Sequence, residues 1–212
     1  MNTKPLFVTG IGTAVGKTIA SAVLCEQLQA DYWKPVQAGD LDFTDSDQVR
    51  DLVSNSKSQF HPEAFRLQLP ASPHQSARKE GLEIHPEDFN LPKTDNRLLI
   101  EGAGGIFVPL SLNFFMIDLI KQFDAEVVLV VKNYLGCINH TLLTMQAIIH
   151  HQLHFKHVVM NGDDFSADTL DAILQQIPEG TTFSHLPSIN PLTAKAIKAV
   201  PIQISNLLNN PL

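Results

Sequence analysis

The stretch Phe7-Val8-Thr9-Gly10-Ile11-Gly12-Thr13-Ala14-Val15-Gly16-Lys17-Thr18 joins a short apolar run to an amphipathic one. The run that leads into it is too short for a helix and wholly apolar, the mark of a buried strand. Beyond it, Ile19, Val23, Leu24 and Leu28 recur at helical spacing. A strand that turns through glycines into a helix N-terminus aims several backbone N–H groups, and the positive end of the helix dipole, at one point. A protein can hold phosphate that way without a basic surface. Lys17 is placed to reach the β and γ phosphates of a nucleotide, and the Thr18 hydroxyl to serve as one ligand of magnesium. The strict phosphate-loop pattern puts a glycine at position 11, where this chain has Ile11, with Gly10 one residue too early.

Outward from that loop, further apolar runs at 98–100, 127–131 and 158–160 read as buried parallel strands. Between them, helical spacing recurs around Ile117 and Ile120, and again from Leu142 to Ile148. Strands alternating with helices predict a single α/β domain: a doubly wound, mostly parallel sheet flanked by helices, of the P-loop type. With 212 residues, two domains would be cramped. Segment 37–96 is polar and broken by Pro62, Pro70, Pro73, Pro86 and Pro92, so it predicts short helices mixed with loops. The tail beyond Pro187, with Pro191, Pro201 and Pro211, predicts a loop and a short helix closing the sheet edge.

A net charge of −7 with scattered basic residues argues against nucleic-acid binding. The N-terminus enters its apolar run without the features of a signal peptide or membrane span, which predicts a cytoplasmic protein. Cys25 and Cys137 sit in apolar contexts without Cys-x-x-Cys spacing, so they read as buried thiols.

A phosphate loop needs a second metal anchor, usually a carboxylate at the carboxyl end of a neighbouring strand. Glu101 fills that place after Leu98-Leu99-Ile100, and the glycines at 102, 104 and 105 let the backbone come close to a ligand. In Thr44-Asp45-Ser46-Asp47, a third carboxylate for the metal and a helix cap are both open readings. His150, His151, His154 and His157 number enough for a metal site, but at the end of a helix they read as an exposed cluster.

These residues resemble the dethiobiotin synthetase family. The family's phosphate loop has the same extra residue, which accounts for Ile11. Its Lys-Pro-Val stands at Lys34-Pro35-Val36, its Ser-Pro-His at Ser72-Pro73-His74, and its Glu-Gly-Ala-Gly-Gly runs from Glu101. Its most distinctive block is Leu135-Gly136-Cys137-Ile138-Asn139-His140-Thr141-Leu142-Leu143, and Asn161 and Leu186-Pro187 match the positions around adenine. The resemblance implies an ATP-dependent ligase that joins carbon dioxide to an amine of 7,8-diaminononanoate, phosphorylates the carbamate and closes a ureido ring.

By the same resemblance, Thr13, Lys17 and Lys34 are catalytic, and magnesium sits on Thr18, Asp47 and Glu101. ATP lies on Gly12, Thr13, Ala14, Val15, Gly16, Lys17, Thr18 and Gly104, with Asn161, Leu186 and Pro187 around the base. The diamine meets Lys34, Ala38, Ser72, Pro73 and His74. Gly136, Cys137, Ile138 and Asn139 receive its distal carboxylate from the other subunit of a homodimer. The chain departs from the family at Gly12, commonly aspartate, at Ala14, commonly glutamate, and at Ala38, often serine.

Other classes use similar loops. A switch ATPase of the deviant P-loop group is expected to carry a lysine where this chain has Gly10-Ile11-Gly12. A glutamine-dependent amidoligase needs a nucleophilic cysteine in a Cys–His setting that neither Cys25 nor Cys137 offers. A nucleotide-binding relative without turnover remains open through Ala14 and Ala38.

Overall fold

A computed structural model describes residues 3–200. The chain forms β1 (Leu6–Gly10), α1 (Lys17–Leu28), β2 (Asp31–Trp33), β3 (Val36–Ala38), α2 (Asp45–Leu52), β4 (Phe60–His61), β5 (Phe65–Leu67) and α3 (Pro73–Lys79). It continues through β6 (Leu98–Gly105), β7 (Pro109–Ser111), β8 (Phe114–Phe115), α4 (Met116–Gln122), β9 (Glu126–Lys132) and α5 (Cys137–His150). Then come β10 (His154–Asn161), α6 (Ala167–Leu174), β11 (Thr182–Leu186) and α7 (Ala194–Lys198).

Seven strands form the main sheet in the order β11-β10-β9-β1-β6-β2-β4, and every pairing within it is parallel. β1 and the middle of β9 are buried on both faces, which is why they carry uninterrupted apolar residues instead of alternating ones. From β1 the chain crosses to β2 on one side of the sheet, and from β6 it crosses to β9 on the other. Right-handed crossovers then place α1 and α4 on opposite faces. The reversal lies between β1 and its neighbours β6 and β9, so the crevice outside their carboxyl ends is where a ligand of an open parallel sheet belongs.

Segment 37–96 does mix short elements with loops; β3 and β5 pair there as a separate two-stranded sheet. The tail differs from its predicted place, because α7 packs on α1 and α2 instead of closing a sheet edge. Buried Ile197 and Val200 face that layer, and Gln27 Nε2 donates to the Val200 carbonyl at 2.9 Å. The part of the tail holding Pro201 and Pro211 lies outside the described residues.

Among the histidines the sequence reading needs correction. His157 is inside β10 and buried, between Thr182 Oγ1 at 2.6 Å and Ser184 Oγ at 2.8 Å. Burial, with help from Lys156, lowers its pKa to about 4. Cys25 and Cys137 are both buried free thiols.

Candidate active site

The phosphate loop spans the gap between β1 and α1. Ala14 (φ 56°) and Gly16 (φ 93°) both take left-handed backbone there. A side chain at Gly16 would collide with Asn161, whose amide Nδ2 would lie 2.1 Å from the added Cβ. Nδ2 of Asn161 donates to the Val15 carbonyl at 2.8 Å and so braces the loop from the end of β10. Gly16 is the N-cap of α1 and no side chain caps that helix, which leaves its first-turn N–H groups without a side-chain partner. That is the donor arrangement an anionic phosphate needs.

Lys17, at the start of α1, is buried, and its ammonium donates to the Gly12 carbonyl at 3.1 Å. Burial lowers its pKa to about 8, against the raising effect of Glu101. A charge held this far out of water has much to gain from an arriving phosphate.

Glu101 anchors the cluster beside the loop. The predicted strand ends at Glu101, but β6 runs on through the glycines to Gly105, so Glu101 lies inside it, paired in register with Val8 of β1. The bare Gly102 that follows makes room for the Phe7 ring, which a Cβ would meet at 2.6 Å. Here the missing side chain serves packing within the sheet, whereas Gly104 does line the cleft. Glu101 Oε1 accepts from Lys34 Nζ at 3.2 Å and lies 3.1 Å from Thr18 Oγ1, while Oε2 accepts from the Tyr32 hydroxyl at 3.0 Å. Lys34 also pairs with Asp45 at 2.5 Å. Burial alone would lower the Lys34 pKa, but the Glu101 and Asp45 carboxylates outweigh it and hold it above the ordinary lysine value.

Of the two readings of Thr44-Asp45-Ser46-Asp47, the structure realises both, on different aspartates. Thr44 and Asp47 form a reciprocal capping box at the start of α2, and Asp47 also pairs with Arg50 at 2.7 Å. Asp47 is thereby turned from the cluster, and the expectation that it completes the metal site is corrected. Asp45 takes that place, with Oδ1 3.1 Å from Thr18 Oγ1. Burial would raise the Asp45 pKa, but Lys34 and the Thr18 hydroxyl hold it below the usual carboxylate range.

The donor set suits magnesium. Two carboxylate oxygens stand 3.1 Å from one hydroxyl oxygen, close to the edge of about 2.9 Å that metal–oxygen bonds of 2.0–2.1 Å give an octahedron. Among the described residues no group of three or more His, Cys, Asp or Glu side chains is arranged to hold a metal. A hydroxyl with two carboxylates, completed by water and phosphate oxygens, is instead the hard-oxygen set that ion prefers.

A cleft of about 690 Å³ opens over this cluster. Of the residues singled out in the sequence, Thr13, Ala14, Gly16, Lys17, Thr18, Lys34, Ala38, Ser72, Pro73, Glu101 and Gly104 line it. His74 does not; its Nδ1 bonds Ser72 Oγ at 3.0 Å, and its ring faces a neighbouring hollow with Arg78 and Leu110. Asn161, Leu186 and Pro187 lie on the other side of the loop, at the ends of β10 and β11, where Gly162 N donates to Leu186 O at 2.9 Å. Gly136, Cys137, Ile138 and Asn139 open α5 and do not line the cleft; Gly136 is its N-cap (φ 100°), without a capping side chain.

Tyr32, Gln37 and Asp40 belong to this region and were not singled out in the sequence. For Asp45, the Thr-x-x-Asp spacing of 44 and 47 was the usable signal, since a capping box consumes Asp47 and leaves Asp45 free.

Sheet, loop and cluster together define a P-loop enzyme that uses nucleoside triphosphate. A family model described as an AAA domain matches residues 4–196. The ATP-dependent dethiobiotin synthetase BioD of Cytophaga hutchinsonii is 52% identical over 160 residues, covering 75% of this chain and 77% of the relative. Its namesake from Rhodopseudomonas palustris is 40% identical over 197 residues, covering 93% and 92%. This chain belongs to the dethiobiotin synthetase family. A solved ParA family ATPase from Chlorobium tepidum superposes with a TM-score of 0.57 at 12% identity, over 93% of this chain and 91% of that one, a likeness of fold alone.

Proposed function

We propose that this chain makes dethiobiotin from 7,8-diaminononanoate, carbon dioxide and ATP. One amine adds to carbon dioxide, losing a proton to give a carbamate. A carbamate oxygen attacks the γ-phosphorus of ATP and ADP departs. The second amine then attacks the carbonyl carbon, expels phosphate, loses its proton and closes the ureido ring.

The observation that carries this reading is the convergence of Lys17, Lys34, Thr18, Asp45 and Glu101 on one cleft, in a chain so similar to ATP-dependent dethiobiotin synthetases. Transfer of a phosphoryl group to a carbamate brings two anions together, so the site must neutralise charge on the group in flight. Lys17 and the uncapped N–H groups of α1 hold the phosphate chain. Lys34 is held cationic by its two carboxylates, ready to meet the carbamate or the transferred group. Thr13, at the edge of the loop, positions the acceptor oxygen. Thr18, Asp45 and Glu101 would hold magnesium, which when bound supplies further positive charge to the β and γ phosphates. Ala38, Ser72 and Pro73 form the wall for the diamine, and Asn161, Leu186 and Pro187 the side for adenine.

A homodimer fits the placement of α5. Its N-terminus lies outside its own cleft, and Leu135, Leu143 and Ile149 leave apolar surface exposed along the same segment. A partner seated there would bring its own residues 136–139 to the distal carboxylate of the diamine. Among the described residues no helix is long and apolar enough to cross a membrane.

The test is an omission series with purified protein, magnesium, ATP, bicarbonate and the diamine, following phosphate and product mass together. Dethiobiotin formed in a one-to-one ratio with phosphate, only when every component is present, supports the reading. Phosphate released equally well without the diamine contradicts it.

A further inference from the structure

Five charged side chains line the cleft: Lys17, Lys34, Asp40, Asp45 and Glu101. Four of them are tied into the cluster, where Lys34 bridges the carboxylates of Asp45 and Glu101 and Lys17 reaches the loop carbonyl of Gly12. Asp40 is different. It is exposed, and its carboxylate makes no hydrogen bond or ion pair among the described residues.

The backbone that carries Asp40 is held firmly. Gly39 (φ 78°) and Asp40 (φ 52°) are consecutive left-handed residues just beyond β3. Gly39 N donates to Leu67 O at 2.8 Å, and the buried Gln37 side chain donates to Gly39 O at 2.9 Å. On the far side, Phe43 N donates to Asp40 O at 3.2 Å. A Cβ on Gly39 would strike Pro70 Cβ at 2.5 Å, so the turn is wedged against the wall that Pro70, Ala71 and Ser72 give the cleft. A non-glycine residue in this conformation is strained, and it is kept where surrounding contacts over-determine it. The result is a free carboxylate on a firmly held backbone at the cleft wall, on the segment that links Lys34 to Asp45.

We propose that Asp40 is a specificity-determining residue that binds the ammonium of the diamine substrate. The assignment rests on the function proposed above. One amine of that substrate must be neutral to add to carbon dioxide, whereas an alkylamine in water at neutral pH is protonated, with a pKa of about 10. The second amine therefore enters as a cation, and releases that extra proton to solvent before it attacks the carbonyl carbon. Every other carboxylate lining the cleft is already committed to Lys34 and Thr18, and Asp40 is the one left to receive it.

The test compares the wild-type chain with Asp40→Asn, which keeps the shape and removes the charge, and Asp40→Gly, which also removes the backbone strain. Both variants should raise KM for the diamine about two- to fivefold, the effect of losing one exposed charge pair. KM for ATP should hold, and the preference for the diamine over a nonanoate with a single amine, measured by competition, should fall by the same factor. Thermal melting of each variant checks folding. An unchanged diamine KM in Asp40→Asn, or a rise in KM for ATP instead, overturns the assignment, as does an effect confined to Asp40→Gly. A wild-type chain that forms no ring product overturns the function and this assignment together; ring formation with an unaltered Asp40→Asn variant overturns this assignment alone.

Discussion

Replacing Lys34 with methionine should destabilise the nucleotide-free protein by an amount the geometry sets. The Lys34 side chain is 5% exposed, and its ammonium pairs with Glu101, whose side chain is 1% exposed, and with Asp45, whose side chain is 33% exposed. Removing one partner of a buried pair costs about 3–5 kcal/mol, because the other charge stays buried without its counter-ion. The partial exposure of Asp45 lets water screen that arm, so the lower end, about 3 kcal/mol, applies. Against a total of about 5–15 kcal/mol for a domain, such a loss is large. With a urea m-value of about 2–3 kcal/mol/M, the unfolding midpoint should fall by about 1 M. Millimolar magnesium should restore part of the loss in the variant and do less for the wild type, because the two freed carboxylates and Thr18 favour a divalent cation once the ammonium is gone. Adding Glu101→Gln to Lys34→Met should cost less than the sum of the single changes. A Lys34→Met midpoint equal to wild type, or strict additivity in the double variant, would refute the buried triad.

Asp45→Asn should lower kcat/KM at least about 100-fold, whereas Asp47→Asn should cost only about 1 kcal/mol of stability by weakening the cap and leave turnover near wild type; steady-state kinetics beside urea unfolding separates the two. The free-state Lys17 pKa of about 8 means that ATP binding above that pH must restore a proton to the ammonium. Calorimetric titration in buffers of different ionisation enthalpy should show proton uptake at pH 9 and much less at pH 7, and Lys17→Arg should abolish the difference. His157, lowered to about 4, is neutral in the fold and takes up a proton when the chain unfolds below its ordinary value near 6.5. Its contribution, roughly 3 kcal/mol, is present above pH 6.5 and is lost as pH falls toward 4, so thermal melting across that range should flatten in His157→Gln.

The sequence made the centre of the fold legible because β1, the start of β6 and the middle of β9 are buried and therefore read as unbroken apolar runs. β2 and β11 lacked that signature. Asp31-Tyr32-Trp33 is three residues of mixed polarity, and Thr182-Phe183-Ser184-His185-Leu186 is an edge strand that buries Ser184 and Leu186 while leaving Phe183 and His185 exposed. β4, with two residues, carries no pattern at all. In the site, Lys17 and Thr18 were legible since a helix N-terminus fixes them locally, and Glu101 since it follows the apolar run Leu98-Leu99-Ile100, although β6 continues beyond it. Asp45 was missed because two aspartates compete for one helix start, and only the phase set by the capping box decides which faces the cleft. His157 was misread because its partners, Thr182 and Ser184, come from the next strand, a contact the local sequence does not reveal. Asp40 was passed over for a related reason, since its place depends on Pro70 and Leu67 across a turn.

The most direct test of the central claim follows one oxygen atom. With bicarbonate labelled with heavy oxygen and short reaction times, phosphoryl transfer to a carbamate carries one substrate-derived oxygen into the released phosphate. Mass spectrometry of that phosphate should show a single labelled oxygen for each dethiobiotin formed. Phosphate whose new oxygen comes only from water would contradict the account, because the γ-phosphoryl group would then be passing to water and never to the carbamate.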